Sequence, residues 1–337
     1  MGNYVKVKTL KVLLLLQINF IFILNAQDIH YSQYFRIPSL INPSSTCNFT
    51  DNWRISFNYR NQWKRIGVPY TTASAIFEKP IKIKGESVGS GFCFINDNTG
   101  INGISTNKIL FSVSYGFEKN VNKIRLGMQL GFINRSINSK NLTFPDDWSL
   151  EQGIFIPSGE YQDHKSYLDI STGLLWSKKV KNQEPELGIS ISHINMPNTS
   201  FLNEKYSLPV KYIVSINDKI ILKEFYYIKP GILYMRQKKA TQSIINLTGV
   251  YKLKRRTSNL KEVNLSIMYR SSNFVESDAI IFSGGIRIGK LDIATSYDLY
   301  LSSMKNFTNN INALEFVIIY NNFTTILNIF TIPCERL

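Results

Sequence analysis

Histidine is the first residue type to weigh for catalysis, because acid–base and nucleophilic hydrolysis both use an imidazole beside a carboxylate or a hydroxyl group. The chain has three histidines, His30, His164 and His193. His164 with Asp163 and Asp169 is the only near candidate for such a site, and neighbouring charges in a loop are usually solvated. The sequence therefore predicts that this protein is not an enzyme, and it offers no catalytic residue.

Metal and cofactor chemistry has equally little support. The sequence contains no CxxC, HExxH or glycine-rich phosphate motif. Asp146, Asp147 and Glu151 are candidate calcium ligands, but their spacing is not that of a calcium loop. Gly284 and Gly285 fall in a predicted strand, where glycine relieves crowding. We therefore predict neither a metal nor a cofactor.

The three cysteines, Cys47, Cys93 and Cys334, are too few for a disulfide framework. Cys93 falls inside a predicted strand and is interpreted as a small apolar filler. Cys47 and Cys334 both fall on the side of the predicted barrel, described below, that we assign to the periplasm, where oxidation is permitted. Whether these two pair is left open.

The dominant pattern is an alternation of apolar and polar side chains over about fourteen segments. In the first segment, Trp53, Ile55, Phe57 and Tyr59 alternate with Arg54, Ser56, Asn58 and Arg60. A period of two indicates a β-strand with one apolar and one polar face. Segments of ~9–11 residues have the length of a tilted strand that crosses a bilayer. One face would meet lipid and the other a polar lumen.

The lengths of the connections help to choose between a membrane barrel and a water-soluble β-sandwich, which shares the alternation. Long connections, such as 61–69, 137–165, 196–208 and 301–311, follow odd-numbered strands, and tight turns follow even-numbered ones. This arrangement is typical of outer-membrane barrels whose amino end is periplasmic. We expect an all-β transmembrane antiparallel barrel with strands near 53–60, 70–79, 87–97, 106–118, 123–136, 166–178, 187–195, 209–220, 225–236, 242–253, 262–271, 279–289, 291–300 and 312–321.

The composition agrees with this fold class. Aromatic residues make up 13% of the chain, with 18 Tyr and 21 Phe, and many fall near strand ends, where interfacial girdles form. The mean hydropathy of -0.10 is too low for a helical membrane protein.

The first 26 residues have the features of a signal peptide. Lys6, Lys8 and Lys11 precede an apolar stretch over residues 12–24, and Ala26 is a small residue suited to signal peptidase. We expect cleavage before Gln27 and no lipoprotein processing, since no cysteine stands there. The alternative is a membrane anchor, for which the apolar stretch is short.

Residues 27–51 read as neither strand nor amphipathic helix. They contain Pro38 and Pro43, and they are too apolar for a free tail. We predict that they form a plug-like segment in the lumen or at the periplasmic mouth, with a disordered linker as the alternative. The barrel then spans residues 52–321, and residues 322–337 form a periplasmic tail.

The formal net charge is +15. Basic residues recur on the predicted periplasmic turns: Lys178, Lys179, Lys181, Lys252, Lys254, Arg255, Arg256 and Lys261. Nothing suggests a soluble basic face for nucleic acid, so we predict no nucleic-acid partner. Contact with lipid headgroups and docking of an acidic partner both remain open. The longest loop is instead acidic, with Asp146, Asp147, Glu151, Glu160 and Asp163.

Two amino-terminal blocks resemble a known family. The first is Gln27-Asp28-Ile29-His30-Tyr31-Ser32-Gln33-Tyr34 with Pro38 and Asn42-Pro43-Ser44, and the second is Asn58-Tyr59-Arg60-Asn61-Gln62-Trp63 with Pro69-Tyr70-Thr71-Thr72. Further matches are Phe144-Pro145-Asp146, Asn195-Met196-Pro197-Asn198-Thr199-Ser200-Phe201, Ser296-Tyr297-Asp298, Ser302-Ser303 and Pro333-Cys334. Together they resemble PorP/SprF-like proteins of the Bacteroidetes type IX secretion system. The last strand departs from the family in keeping Glu315 without the histidine often found beside it, and the tail after Tyr320 is unusually apolar.

The resemblance implies a non-enzymatic outer-membrane component that supports export or surface attachment of cargo bearing a carboxy-terminal sorting domain, including gliding adhesins. Its partners would be outer-membrane lipid, other type IX components and that cargo, whose identity is not inherited from the family. The fold would be similar to the barrels of hydrophobic-compound transporters, so a channel for hydrophobic or small solutes is the alternative function. A surface-loop adhesin is a third reading.

The candidate plug or partner contacts are Tyr31, Gln33, Tyr34, Asn42, Pro43, Arg60, Gln62, Trp63, Pro69 and Tyr70. We expect residues 60–65 to form a loop. Arg60 and Trp63 admit two interpretations. They anchor a protein interface, as Arg and Trp often do, or Trp63 belongs to the interfacial girdle and Arg60 is a charge paired inside the lumen.

Overall fold

A computed structural model describes residues 29–62, 68–83, 86–100, 103–137, 148–149, 154–155, 164–201, 206–253, 259–272, 274–301 and 313–322. The strands are β1 (Trp53–Gln62), β2 (Tyr70–Ile83), β3 (Glu86–Thr99), β4 (Ile104–Lys119), β5 (Asn122–Ser136), β6 (Trp148–Ser149), β7 (Ile154–Phe155), β8 (His164–Lys178), β9 (Glu186–Ser192), β10 (Lys211–Asn217), β11 (Ile220–Lys223), β12 (Tyr226–Gln237), β13 (Ala240–Lys252), β14 (Leu260–Ser272), β15 (Glu276–Ile288), β16 (Leu291–Tyr300) and β17 (Ala313–Asn322). Among these residues, no helix combines the length and apolar character that a membrane-spanning helix requires.

The strands form one closed antiparallel sheet. β1 pairs with β2 on one side and with β17 on the other, so that Arg54 lies opposite both Glu78 and Asn321. β10 and β11 follow one another along β12 and count as one strand of the barrel, and β6 and β7 form a separate hairpin. The prediction of a fourteen-stranded antiparallel barrel is confirmed.

The alternation in the sequence decides which side chains face the lumen. In β1, Ser56, Asn58 and Arg60 are buried inside, whereas Phe57 and Tyr59 are 53% and 45% exposed on the outer surface. The same two-residue period runs through β16, in which buried and exposed residues alternate along the whole strand. The outside is therefore an apolar wall. Because the sheet closes on itself, its backbone groups need no partner from lipid.

The two rims differ in the lengths of their connections. We call the end at which β1 begins and β17 ends the short-turn rim, because the two-residue turns 120–121, 224–225 and 289–290 lie there. The opposite end, the long-loop rim, is where β5, β9 and β16 end, and residues 137–163, 193–210 and 301–312 separate these strands from the next strands of the barrel. That the short-turn rim faces the periplasm stays a prediction.

Several strands extend beyond the predicted apolar bands. β1 continues to Gln62, since Asn61 and Gln62 still pair with Thr71 and Tyr70 of β2. The expectation that a loop begins at Arg60 is therefore wrong, because a ladder of backbone hydrogen bonds continues past the point at which side chains stop alternating in polarity.

Residues 29–52, which we call the N-terminal segment, lie inside the barrel. They contain three short 3-10 helices, η1 (Tyr34–Arg36), η2 (Pro38–Leu40) and η3 (Pro43–Ser45). Each proline stands at the first turn of its helix, where its fixed φ is favourable and its missing N–H is not needed. The Asn42 side chain caps η3 by accepting the Ser44 N–H at 3.0 Å.

Candidate functional site

Charged side chains from four strands meet inside the barrel. Arg60 of β1 is 2% exposed, and its guanidinium lies 2.9 Å from Asp298 Oδ2 and 3.1 Å from Glu315 Oε2. Arg270 of β14 contacts the same Asp298 oxygen at 2.8 Å and also pairs with Asp278. We call Arg60, Arg270, Asp298 and Glu315 the charge cluster. A buried charge is tolerated when it is paired and hydrogen-bonded, and every member of this cluster is.

The N-terminal segment supplies further hydrogen bonds to this cluster. The N–H groups of Ser32 and Gln33 donate to the two oxygens of the Glu315 carboxylate at 2.8 and 3.1 Å. The Ser32 hydroxyl donates to Asp298 Oδ1 at 2.9 Å, and the Gln33 amide donates to the Glu315 carbonyl at 3.2 Å. Hydrogen bonds to ionised carboxylates are stronger than neutral ones. The charge cluster is thus a docking site for residues 32 and 33.

Apolar side chains hold the same segment to two parts of the wall. Tyr34 packs with residues such as Leu233 and Ile281 of one buried cluster. Tyr31 and Ile37 pack in a second cluster formed with β2, β3 and β4. Burial raises the pKa of both tyrosine hydroxyls, so both stay neutral phenols. The segment therefore crosses the lumen and does not follow one side of it.

Glycines occupy the barrel wall where η3 and its cap contact it. A Cβ atom added at Gly127 would overlap the Ser44 backbone, and one at Gly173 would overlap the Asn42 side chain. Asn42 in turn donates its amide to the carbonyl oxygen of Leu174 at 3.1 Å. Only glycine permits so close an approach of two segments of the chain. The sequence of the barrel is therefore adapted to the presence of the N-terminal segment.

Further contacts fix the last part of the segment near the short-turn rim. Arg125 donates to the carbonyl oxygen of Ser44 at 2.9 Å, and Ser114 donates to that of Thr46 at 2.7 Å. The Cys47 N–H donates to Glu78 Oε1 at 3.0 Å. Burial raises the pKa of the Cys47 thiol to about 12, so it stays protonated and unreactive. Cys334, its suggested partner, lies outside the described residues.

His30 lies at the start of the segment, where it is partly buried near two cations of the cluster. Burial, together with the positive charges of Arg270 and Arg60, lowers the pKa of its imidazole. The ring is therefore neutral at neutral pH. Near the other end of the segment, burial raises the pKa of Asp51.

The structure brings most of the sequence candidates into the lumen. Those that lie in or against the N-terminal segment are Tyr31, Gln33, Tyr34, Asn42, Pro43 and Arg60. Gln62 donates to the Tyr300 hydroxyl at 2.7 Å, and Pro69 and Tyr70 lie at the long-loop rim. Trp63 is outside the described residues. At 2% exposure, Arg60 is not available to a partner at the surface, and its geometry is that of the lumen-paired interpretation.

The histidine that contacts a carboxylate is His193 and not His164. Asp169 is 2.9 Å from His193 Nδ1, and both are buried. His164, in contrast, starts β8 on the opposite face from Asp169, since residues five apart on a strand point in opposite directions. Asp163 is outside the described residues. Among the residues that the structure describes, no group of three or more potential metal ligands is found.

Sequence reasoning missed the role of Arg270. A signal existed, because Arg270 stands at an inward position of a strand whose outward positions include Leu265, Ile267 and Tyr269. Asp298 and Glu315 were noted only as family positions. Both carboxylates accept hydrogen bonds from Ser32, which lies 266 residues before Asp298 and 283 residues before Glu315. Contacts over such distances cannot be predicted from the pattern of any one strand.

Comparison with known proteins identifies both the family and the fold. A family model described as type IX secretion system membrane protein PorP/SprF matches residues 23–320. The toluene transporter TbuX of Ralstonia pickettii is similar in structure, with a TM-score of 0.50, 8% identity, and 84% of this chain and 92% of that chain covered. The toluene transporter TodX of Pseudomonas putida has a TM-score of 0.47, 10% identity, and coverage of 88% and 95%. No curated protein sequence matches the chain. At such identities the structural likeness shows the fold alone.

Proposed function

Since this chain belongs to the PorP/SprF family of type IX secretion system membrane proteins, we propose that it is a non-enzymatic outer-membrane component that supports export or surface attachment of cargo proteins. The cargo would carry a carboxy-terminal sorting domain, as gliding adhesins do, and the host would be a member of the Bacteroidetes. Residues 1–26 would direct the chain to the periplasm and be removed.

One observation carries this proposal beyond family membership: the N-terminal segment docks in the lumen. A closed barrel satisfies its own backbone hydrogen bonds and does not need such a segment. Yet the charge cluster and the glycines at 127 and 173 form a dedicated place for it. We infer that the segment acts as a plug, which keeps the barrel closed to small solutes while it works beside other secretion components.

The alternative is a diffusion channel for hydrophobic or small solutes. TbuX is a toluene transporter, but at 8% identity it supports only the likeness of fold. The interior favours the plug, because the N-terminal segment crosses the lumen. Two cavities inside the barrel that are lined in part by this segment measure about 160 and 30 Å³. A channel would need a wider path.

Deletion of residues 28–46 tests the proposal in the host. We expect an assembled barrel that keeps its heat-modifiable mobility, conducts ions in planar bilayers and no longer supports cargo export. The matched control is Gly249→Ala, a position where an added Cβ meets no atom within 4 Å. A deletion strain that still exports its cargo would remove the proposed role of the segment, whatever its conductance.

A further inference from the structure

The carboxyl end of the N-terminal segment lies at the short-turn rim. The Asn48 amide donates at 3.1 Å to Glu186, the first residue of β9. The Asn52 N–H donates at 2.9 Å to the carbonyl oxygen of Asn322, the last residue of β17. Because β9 begins and β17 ends at the short-turn rim, the segment joins β1 at that rim.

The amino end of the segment lies at the opposite rim. His30 borders a small cavity together with Lys211, Gln237 and Ala240. These three residues are the first of β10, the last of β12 and the first of β13. All three positions belong to the long-loop rim. His30 is therefore level with the residues that end the wall there.

Contacts along β16 give the course of the segment between the two rims. The Ser32 hydroxyl donates at 2.9 Å to Asp298, two residues before β16 ends at the long-loop rim. The Arg36 guanidinium lies 3.0 Å from Asp292, one residue after β16 begins at the short-turn rim. Six residues of a strand extend over ~20 Å. Between residues 32 and 36, the contacts of the segment thus move from one rim towards the other.

This course determines where the residues before the segment lie. The cavity beside His30 measures about 30 Å³ and is too small to hold a further residue. Cleavage before Gln27, as proposed above, leaves three residues ahead of His30, and three residues span at most ~11 Å. We propose that the amino terminus of the mature chain is presented at the long-loop mouth, on the opposite side of the membrane from the junction with β1. With the predicted membrane orientation, that mouth faces the outside of the cell.

This placement restricts how the lumen can open. The carboxyl end of the segment is continuous with β1. The lumen is therefore cleared only when the amino end is drawn back through the barrel to the short-turn rim, and residue 28 then changes sides. The rim at which residue 28 reacts reports whether the segment is docked.

Cysteine labelling tests where the amino end lies. Asp28→Cys is introduced into a chain whose own three cysteines are replaced by alanine, and an impermeant thiol reagent is added to intact or to permeabilised cells. The matched controls are Ser149→Cys, in the connection 137–163 of the long-loop rim, and Ser258→Cys, in the connection 253–259 of the short-turn rim. We expect Asp28→Cys to be labelled under the same condition as Ser149→Cys and to a similar extent. Since the comparison is with these controls, it holds for either membrane orientation.

Two results would overturn the proposal, provided that heat-modifiable mobility shows an intact barrel in each variant. The first is labelling of Asp28→Cys only under the condition that labels Ser258→Cys, and the second is no labelling of the folded protein. The intact mass of the purified protein reports leader removal, on which the proposal rests. A retained leader would overturn the cleavage and with it this placement of the amino terminus. Export is not measured, so failure of the proposed secretion role does not alter the labelling result, and the reverse also holds.

Discussion

Replacing Glu315 by glutamine isolates the carboxylate that docks the N-terminal segment. In the structure this side chain accepts hydrogen bonds from the N–H groups of Ser32 and Gln33, from the Asn58 amide at 2.9 Å and from Arg60 at 3.1 Å. Glutamine keeps the size but presents an NH₂ group, a donor, toward other donors. At least one backbone N–H then loses its acceptor, and Arg60 loses one of its two counter-charges.

The magnitude follows from the burial of these groups. Arg60 and Glu315 are both barrel residues, so the docking equilibrium depends instead on the hydrogen bonds that the Ser32 and Gln33 N–H groups donate to Glu315. A hydrogen bond to a charged group contributes ~1.5–3 kcal/mol. A loss of ~2 kcal/mol raises the undocked fraction by on the order of 30-fold. The ladders of β17 with β1 and β16 are unchanged, so the barrel itself should persist.

Hydrogen exchange at the amides of Ser32 and Gln33 measures this opening directly, since exchange reports the free energy of local unfolding. We expect protection at these two amides to fall by about that factor in Glu315→Gln, with heat-modifiable mobility retained. The control is Glu118→Gln, which removes the same charge from an exposed carboxylate paired with Lys123 at 2.7 Å. If Ser32 and Gln33 keep wild-type protection in Glu315→Gln, the carboxylate does not hold the segment and the docking argument fails.

Three further predictions use other parts of the molecule. Gly173→Ala should displace η3 and raise ion conductance in planar bilayers, because overpacking costs ~1–3 kcal/mol, whereas Gly249→Ala should leave conductance unchanged; equal conductance in the two variants would contradict the fit of η3 to the wall. In a cysteine-free background, cysteines are placed at Ser149 and at Ser258, and intact cells are treated with an impermeant thiol reagent. We expect labelling at Ser149 only, and labelling at Ser258 only would contradict the predicted membrane orientation. Because the pKa of His30 is lowered in the docked state, docking should be complete above the ordinary imidazole pKa of about 6.5 and weaken as the pH falls below it; amide protection in the segment that is constant from pH 7 to pH 5 would show that the ring is not confined as described.

The fold was largely predictable from the sequence because the alternation of apolar and polar residues shows which face of a strand meets lipid and which meets the lumen. Phe57 and Tyr59 against Ser56 and Asn58 are enough to assign the lipid and lumen sides of β1. The predicted strand 209–220 was harder. There the structure has β10 and β11 separated after Asn217, where the Asp218 N–H instead donates to the Pro230 carbonyl at 3.0 Å. A local irregularity of this kind depends on the neighbouring strand and is absent from the pattern of one segment.

The candidate site was less predictable because lumen contacts depend on the register of every strand at once. That Arg60 faces inward follows from parity, but that it meets Asp298 requires β1 to pair with β17 and β17 to pair with β16. A shift of one residue at either interface would turn these side chains to the lipid face. The glycine at 173 gave a local hint, since glycine inside a strand often marks close approach of another backbone. That Asn42 is the residue that approaches Gly173 could not be predicted from the sequence.

The position of the docking groups in the sequence couples docking of the segment to closure of the barrel. Ser32 and Gln33 come before the first strand, whereas Asp298 and Glu315 lie on the last two strands. Arg60, which bridges the two carboxylates, is on β1. These groups are brought together only when β17 pairs with β1. By linkage, the docked segment must stabilise the closed barrel by the same free energy by which closure stabilises docking. A barrel that lacks its last strand therefore has neither a sealed wall nor the carboxylate that holds residues 32 and 33, so opening along this seam would weaken docking of the N-terminal segment.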